Sequence, residues 1–489
     1  MQAISGMRWI RTLAALAAVA AGAFVQFPAA AAGPTFFRHS CPQTLVTSAT
    51  LRCGTVVVFE NRNSPGSRAI GLNVIVISAP KRPAAKDAIF GISGGPGQPS
   101  ADQTGLGFAT MTGDAASTRD IVLVDQRGTG DSHPLQCDLF PGTDITRFFG
   151  SDWPVQVLSQ CAQRLSAIAD LTQYNTDNSA DDLDDVRAAL GYDQIDLVGV
   201  SYGTTVALDY MRRHAQHVRT AVLDGPVATD SKGPLPYARA AQNSIDGLFA
   251  DCSADAGCHA AIPDPRGDLA AALSTLSRGA VHANATDPAT KVKFPVQIDA
   301  ETWVSTVRYG LYDANSSVQL LRLIHAAAHG DFDPSADMTV AIRTTLATNI
   351  FWGMAMSLGC PEEVNTIDPS EIGGATRGSF FGDYRVRAQI AACAVWPHAT
   401  VDPAFFHPVR SNAPALLLTG GVDPATPADQ VARIQRYLPH AVNVLFPKSA
   451  DAGETTCGAR LVAAFISAGS SAGLETSCAA ATKRPPFTF

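Results

Sequence analysis

Three short segments of this chain hold residue types that can do chemistry together. The first is Gly199-Val200-Ser201-Tyr202-Gly203, which fits G-x-S-x-G. A serine in that setting is a nucleophile for acyl transfer. The chain must turn sharply from a strand into a helix, so Ser201 is expected in a strained backbone conformation with its Oγ exposed. Glycines two residues to either side let the strand and helix approach, and the start of the helix aims backbone N–H groups at a developing oxyanion. The second segment is Gly94-Gly95-Pro96-Gly97. Such a loop can bring a second N–H donor to the substrate carbonyl without side-chain obstruction. The N–H groups of Gly95 and Tyr202 are the expected oxyanion pair. The third is Asp423, which follows Gly420-Gly421 and precedes Pro424 and Thr426-Pro427. A carboxylate at the end of a strand can orient an imidazole, and the order Ser then Asp suits this chemistry. Asp224 is the rival acid.

These residues need strands and helices in a fixed order, and the sequence supplies them. Gly54 to Phe59, Ile70 to Ser78, Ala88 to Ile92 and Asp120 to Val124 are Val- and Ile-rich runs bounded by turn residues. Ser179 to Leu190 reads as a helix capped by Ser179, with acids in its first turn and Gly191 closing it. Its acids Asp181, Asp182, Asp184 and Asp185 are expected to form a solvated face. Asp125 and Arg127 are expected to fix the loop beside the Gly-rich segment. Ile195 to Val200 is a strand, Thr204 to His214 a helix and Thr220 to Leu223 a strand. From about 231 to 400 the alternation lapses into helical stretches without a strand series. It resumes with a strand from Ala415 to Thr419, a helix from Pro427 to Tyr437, a strand from Val442 to Phe446 and a helix from Gly458 to Ala468. Continuous apolar strands alternating with helices imply a mostly parallel sheet buried on both faces. The expected fold class is therefore α/β, an α/β-hydrolase fold with an inserted, mainly helical cap. Residues 33–230 and 401–489 would form the core and residues 231–400 the cap.

Composition agrees with an exported globular protein. Hydrophobic residues make up 46% and charged residues 16%, enough to bury a large core. A net charge of −8 with no basic block argues against a nucleic-acid partner. Residues 1–32 read as a signal peptide: Arg8 and Arg11, then an apolar run from Thr12 to Val25, then small residues to Ala32. That run is shorter than the roughly 20 residues a bilayer-spanning helix needs, so no membrane association is expected after cleavage. The ten cysteines suit an oxidising compartment, secreted or periplasmic, and pairing in sequence order would close five short or moderate loops. No metal or other cofactor is expected. His325 and His329 stand four apart, but no third ligand is near them in sequence, which favours solvated or packed histidines.

The segments SGGPG, DQRGTGDS, GVSYGT and GGVDPATP together resemble the proline iminopeptidase and tripeptidyl aminopeptidase family of serine peptidases, across nearly the whole chain after residue 33. The resemblance implies an exopeptidase acting on peptides with a free N-terminus, whose cap holds the substrate amino group with carboxylates. Cys360-Pro361-Glu362-Glu363 resembles the family's cysteine-plus-glutamate segment, which points to Glu362 first and Glu363 next. It also exposes a gap. Family members carry a Gly-His-Gly-like segment after the last strand, a few residues before the cysteine matching Cys457. Here Ala452, or less closely Asp451, occupies the place of the catalytic histidine. His440 precedes that strand, at its wrong end. Deliberate replacement, natural loss, or rescue by His133, His398 or His407 each account for the gap. The expectation is a well-formed site with feeble hydrolysis. An esterase-like hydrolase and a non-catalytic peptide-binding protein are the other readings.

Overall fold

A computed structural model describes residues 33–487 apart from 65 and 451. The export-signal reading of residues 1–32 and the alternative base position Asp451 lie outside the described residues. From Pro34 onward the chain is one compact unit.

Nine of its strands form one sheet: β1 (Phe36–His39), β2 (Leu51–Phe59), β3 (Ala69–Ile77), β4 (Asp87–Ile92), β5 (Ile121–Val124), β6 (Gln194–Val200), β7 (Val218–Asp224), β10 (Ala415–Gly420) and β11 (Ala441–Phe446), where β8 (Val281–Thr286) and β9 (Lys293–Ile298) are a separate hairpin. The spatial order is β1-β2-β3-β5-β4-β6-β7-β10-β11. The first three strands and β5 pair antiparallel; from β5 to β11 every pairing is parallel. The parallel strands are buried on both faces, as continuous apolar runs require. Phe90, Leu197, Ala221 and Leu417 point into one core. Ile89, Val198, Val222 and Leu416 point into the other. Because these strands run parallel, their carboxyl ends share one edge. The loops after β4, β6, β7, β10 and β11 therefore converge there, bringing Gly95, Ser201, Asp224, Asp423 and Ala452 to one rim.

The strand β7 pairs with β10, Ala221 opposite Ala415, although almost the whole of residues 231–400 lies between them. That insertion holds nine helices among the described residues, as expected, but also the hairpin β8-β9, which was not expected. Its signal was weak: β8 alternates correctly, but its inward residues are the alanines Ala283 and Ala285, and Pro295 interrupts β9. The edge strand β1 was also missed. The helix before β6 runs Thr176–Leu190 and is capped by Asn175, whose side chain accepts from Asn178 N–H; Ser179 lies inside the first turn. Its acids are not a solvated face. Asp182 is buried and takes a bidentate pair of 2.7 Å bonds from the buried Arg127. Asp181 pairs with Arg213 at 2.6 Å and Asp184 with Arg187 at 2.6 Å. Asp125 fixes the neighbouring loop by accepting from Ser100 N–H at 3.0 Å and Ala101 N–H at 2.8 Å.

All ten cysteines pair in sequence order: Cys41–Cys53, Cys137–Cys161, Cys252–Cys258, Cys360–Cys393 and Cys457–Cys478. Among these, Cys360–Cys393 closes the longest loop, 33 residues in separation, and adjoins Glu362. Loop-closure entropy assigns it about 3–4 kcal/mol. Replacing both cysteines by serine is expected to lower stability by about that amount in urea titrations.

Candidate active site

Ser201 sits between β6 and the helix Tyr202–Arg213 with φ 53 and ψ −123, a left-handed conformation that a serine adopts only under constraint. The constraint comes from both sides. Its N–H donates to the carbonyl of Asp224 at 2.8 Å, and its carbonyl accepts from Thr204 N–H at 2.8 Å. The flanking glycines are sterically required. A Cβ on Gly199 would stand 2.5 Å from the Gly203 carbonyl oxygen, and one on Gly203 would stand 2.2 Å from that of Ile92. The nucleophile elbow is therefore built as its motif implied.

The loop after β4 lies against it, so closely that a Cβ on Gly94 would be 3.5 Å from Ser201 Oγ. Gly95, Pro96, Ser201 and Tyr202 line one pocket together with Val227, Ser231, Gly233, Tyr237, Tyr312, Glu363, Ala425, Thr426 and Gln430. Gly95 and Tyr202 thus share a pocket with the serine. Gly233, Tyr237 and Tyr312 come from the insertion, and no sequence motif had marked them.

The two glutamates have different surroundings. Glu362 ends the helix Trp352–Glu362, is buried and is not among the residues lining the pocket. It accepts from Thr176 N–H at 2.8 Å and from the Thr176 hydroxyl. The Thr176 hydroxyl also shares a 2.9 Å hydrogen bond with the Tyr202 hydroxyl. Glu362 therefore anchors the residue next to the nucleophile. Burial raises its carboxyl to about 8, against the hydrogen bonds from Thr176. Glu363 leaves the helix with φ −126 and ψ −66 and turns into the pocket. Its carboxylate has no hydrogen bond or ion pair among the described residues. Burial raises it to about 7, opposed by the Arg385 guanidinium.

Asp423 is buried and accepts from Ala425 N–H at 2.7 Å, Thr426 N–H at 2.9 Å and the Thr426 hydroxyl. Burial raises its carboxyl and these bonds oppose the shift. Asp224 has a different task. Its Oδ2 accepts from Gly453 N–H at 3.0 Å, so it ties down the loop after β11. Burial raises it to about 7, while the Gly453 and Ala452 N–H groups pull it down and Asp423 pushes it further up. Its Oδ1 is buried without a partner.

Among the described residues, no histidine lines the pocket. Ala452 is fully buried among apolar residues, in the same cluster as Phe446 and Leu461. Two of the three rescue candidates have a ring nitrogen engaged elsewhere: His133 Nε2 contacts the Ile168 carbonyl at 3.2 Å and His398 Nδ1 the Trp396 carbonyl at 3.0 Å. The backbone carbonyl of His407 accepts from Arg212 at 2.9 Å.

The buried acids make stability depend on pH in a defined direction. Burial raises Asp196, Asp209, Asp224 and Glu363 to about 7 and Glu362 to about 8. Between their unfolded values near 4 and these folded values, the native state binds more protons than the unfolded chain, so stability falls as pH rises. Asp181 and Asp184 are shifted downward, burial being outweighed by His214, Arg213 and Arg187; their contribution grows as pH rises to about 5 and is constant above it, so it does not alter the trend from pH 5 to 8. Calorimetry is expected to give a higher melting temperature at pH 5 than at pH 8.

The sheet, the elbow and the converging loops define the class. Residues 89–252 match the family model described as alpha/beta hydrolase fold, and residues 378–478 match the one described as TAP-like protein. The chain has the α/β-hydrolase fold. It is similar to tripeptidyl aminopeptidase-like serine peptidases. It is 30% identical over 240 residues to the serine protease Hip1 of Mycobacterium tuberculosis, covering 45% of each chain. It is 29% identical over 197 residues to the tripeptidyl aminopeptidase of Streptomyces lividans, covering 36% of this chain and 35% of that one. The matches thus span less than half the length of these relatives. Among solved structures, the proline iminopeptidase of Mycobacterium smegmatis aligns over 85% of this chain and 98% of its own, at 16% identity and a TM-score of 0.35.

Proposed function

We propose that this chain is an exported serine exopeptidase-type hydrolase that takes peptides by their free N-terminus, and that its turnover is impaired. Glu363 carries the reading: an unpaired carboxylate in a largely buried pocket with Ser201 suits a substrate ammonium, since a charge-assisted pair in such a place is strong. The acylation step follows from the residues present. Ser201 Oγ attacks the carbonyl, and the N–H groups of Gly95 and Tyr202 receive the oxyanion; the C–N bond then breaks and the amine leaves with the serine proton, which without a histidine must pass through water. Asp423 would orient an imidazole, and the place for that imidazole is held by Ala452. Losing a triad member costs roughly 10⁴–10⁶ in turnover in other serine proteases.

The test is paired binding. Short peptides with a free amino terminus are expected to bind measurably tighter than their N-acetylated forms by calorimetry. Equal affinities would overturn the reading. The lack of a histidine at the pocket supports a second reading, a non-catalytic peptide-binding protein that keeps the site. A fluorophosphonate probe separates the two, since slow labelling of Ser201 indicates residual hydrolase chemistry and none indicates a binding protein. An esterase would have suited an apolar pocket without Glu363.

A further inference from the structure

His325 and His329 lie on the helix Ala314–Ala328 and at its C-cap, four apart and so on one face. No third ligand is near them in sequence, but the fold supplies one. The helix Pro265–Leu276 packs against theirs and presents Asp268 from its first turn, 57 residues from His325 in the chain. Asp268 Oδ2 is 2.7 Å from His325 Nδ1. The His329 Nδ1 is 2.8 Å from the carbonyl oxygen of His325. A carbonyl only accepts, so His329 Nδ1 carries the hydrogen and its Nε2 is a bare lone pair. His325 Nδ1 faces the Asp268 carboxylate, so once it gives up its hydrogen this nitrogen and that oxygen can share one ion. The two rings stand 4.4 Å apart between centroids. One candidate ligand atom from each of the three residues lies within 4.8 Å of the other two.

From this arrangement we propose a divalent transition-metal site of zinc type, made by His325, His329 and Asp268, with water completing the shell. Two imidazoles and one carboxylate are the donor set of zinc rather than of calcium or magnesium, which take oxygen ligands throughout. The His325 carbonyl behind His329 Nδ1 is what a metal-binding imidazole has, since it fixes the tautomer and aims Nε2. Ligand atoms around tetrahedral zinc lie about 3.3 Å apart, so atoms now within 4.8 Å of one another need only modest adjustment. Part-exposed side chains at a helix end can make it by rotation, without backbone movement. The ion would staple together two helices of the insertion that are otherwise separated by the hairpin β8-β9 and the helix Ala300–Gly310. None of the three residues lines the Ser201 pocket, so the effect is on stability.

The test uses the EDTA-treated, dialysed protein titrated with ZnCl₂, followed by calorimetry and by thermal melting. The expected result is saturable binding of one ion per chain and a raised melting temperature. The double variant His325→Ala/His329→Ala should lose the thermal gain, and Asp268→Asn should weaken binding at least about tenfold. His282→Ala, an exposed histidine on β8, should leave both unchanged. Melting of each variant in EDTA reports whether it is folded. Binding by the folded double variant with wild-type affinity would overturn the proposal, as would the absence of saturable binding by the wild-type chain.

Discussion

Ala452→His is expected to raise hydrolysis of an aminoacyl or peptidyl chromogenic substrate at least about a hundredfold, the lower end of what a positioned general base contributes. The other residues of the proposed reaction come from the same rim of the sheet. Ser201 is held in its strained conformation at φ 53, and Gly95 and Tyr202 flank it in the pocket. Asp423 is buried with its hydrogen bonds made by its own loop. The loop after β11 is fastened to Asp224, whose coupling to Asp423 makes the two acids near neighbours. The cost is steric. Ala452 is fully buried, and a larger side chain in a packed place costs about 1–3 kcal/mol unless the loop shifts. Ser201→Ala in the same background must abolish the gain. A folded Ala452→His variant that binds peptide as before and gains no rate would show that residue 452 is not the place of the base.

How much of this was readable in advance follows from the physics of each feature. The nucleophile, the oxyanion loop and Asp423 were legible because each is a local device: a steric turn, a glycine-rich approach, an acid at a strand end. The parallel core was legible because its strands are continuous apolar runs. What sequence could not give depends on side-chain direction or on contacts remote in the chain. Glu362 and Glu363 are adjacent and chemically alike; only the end of the helix at Glu362 decides that one is tied to Thr176 while the other enters the pocket. The acids of the helix Thr176–Leu190 looked solvated because their partners Arg127 and Arg213 are remote in sequence. The hairpin β8-β9 was hidden by alanines on its inward face.

Glu363→Gln is expected to weaken binding of peptides with a free amino terminus by about thirtyfold or more, as loss of one member of a buried charge pair does, and to leave N-acetylated peptides almost unaffected. The pH dependence identifies the carboxylate itself. Burial holds Glu363 at about 7, so in the unliganded protein it is largely neutral below that pH. An ammonium binds the anion, so wild-type affinity should fall about tenfold per pH unit below 7, and should fall again above about pH 8 as the peptide amine loses its proton. A bound ammonium favours the ionised form in turn, so binding near pH 6 should release protons, which calorimetry in buffers of different ionisation enthalpy can count. Acetylated peptides should show a flat profile, and so should Glu363→Gln with either ligand. Glu362→Gln is the informative comparison. It breaks the anchor to Thr176 and should lower stability while keeping the pH-dependent preference for free amines. If that preference disappears with Glu362→Gln and survives Glu363→Gln, the amino-group anchor is Glu362, and the direction of the two side chains in the unliganded site is not their direction when peptide is bound.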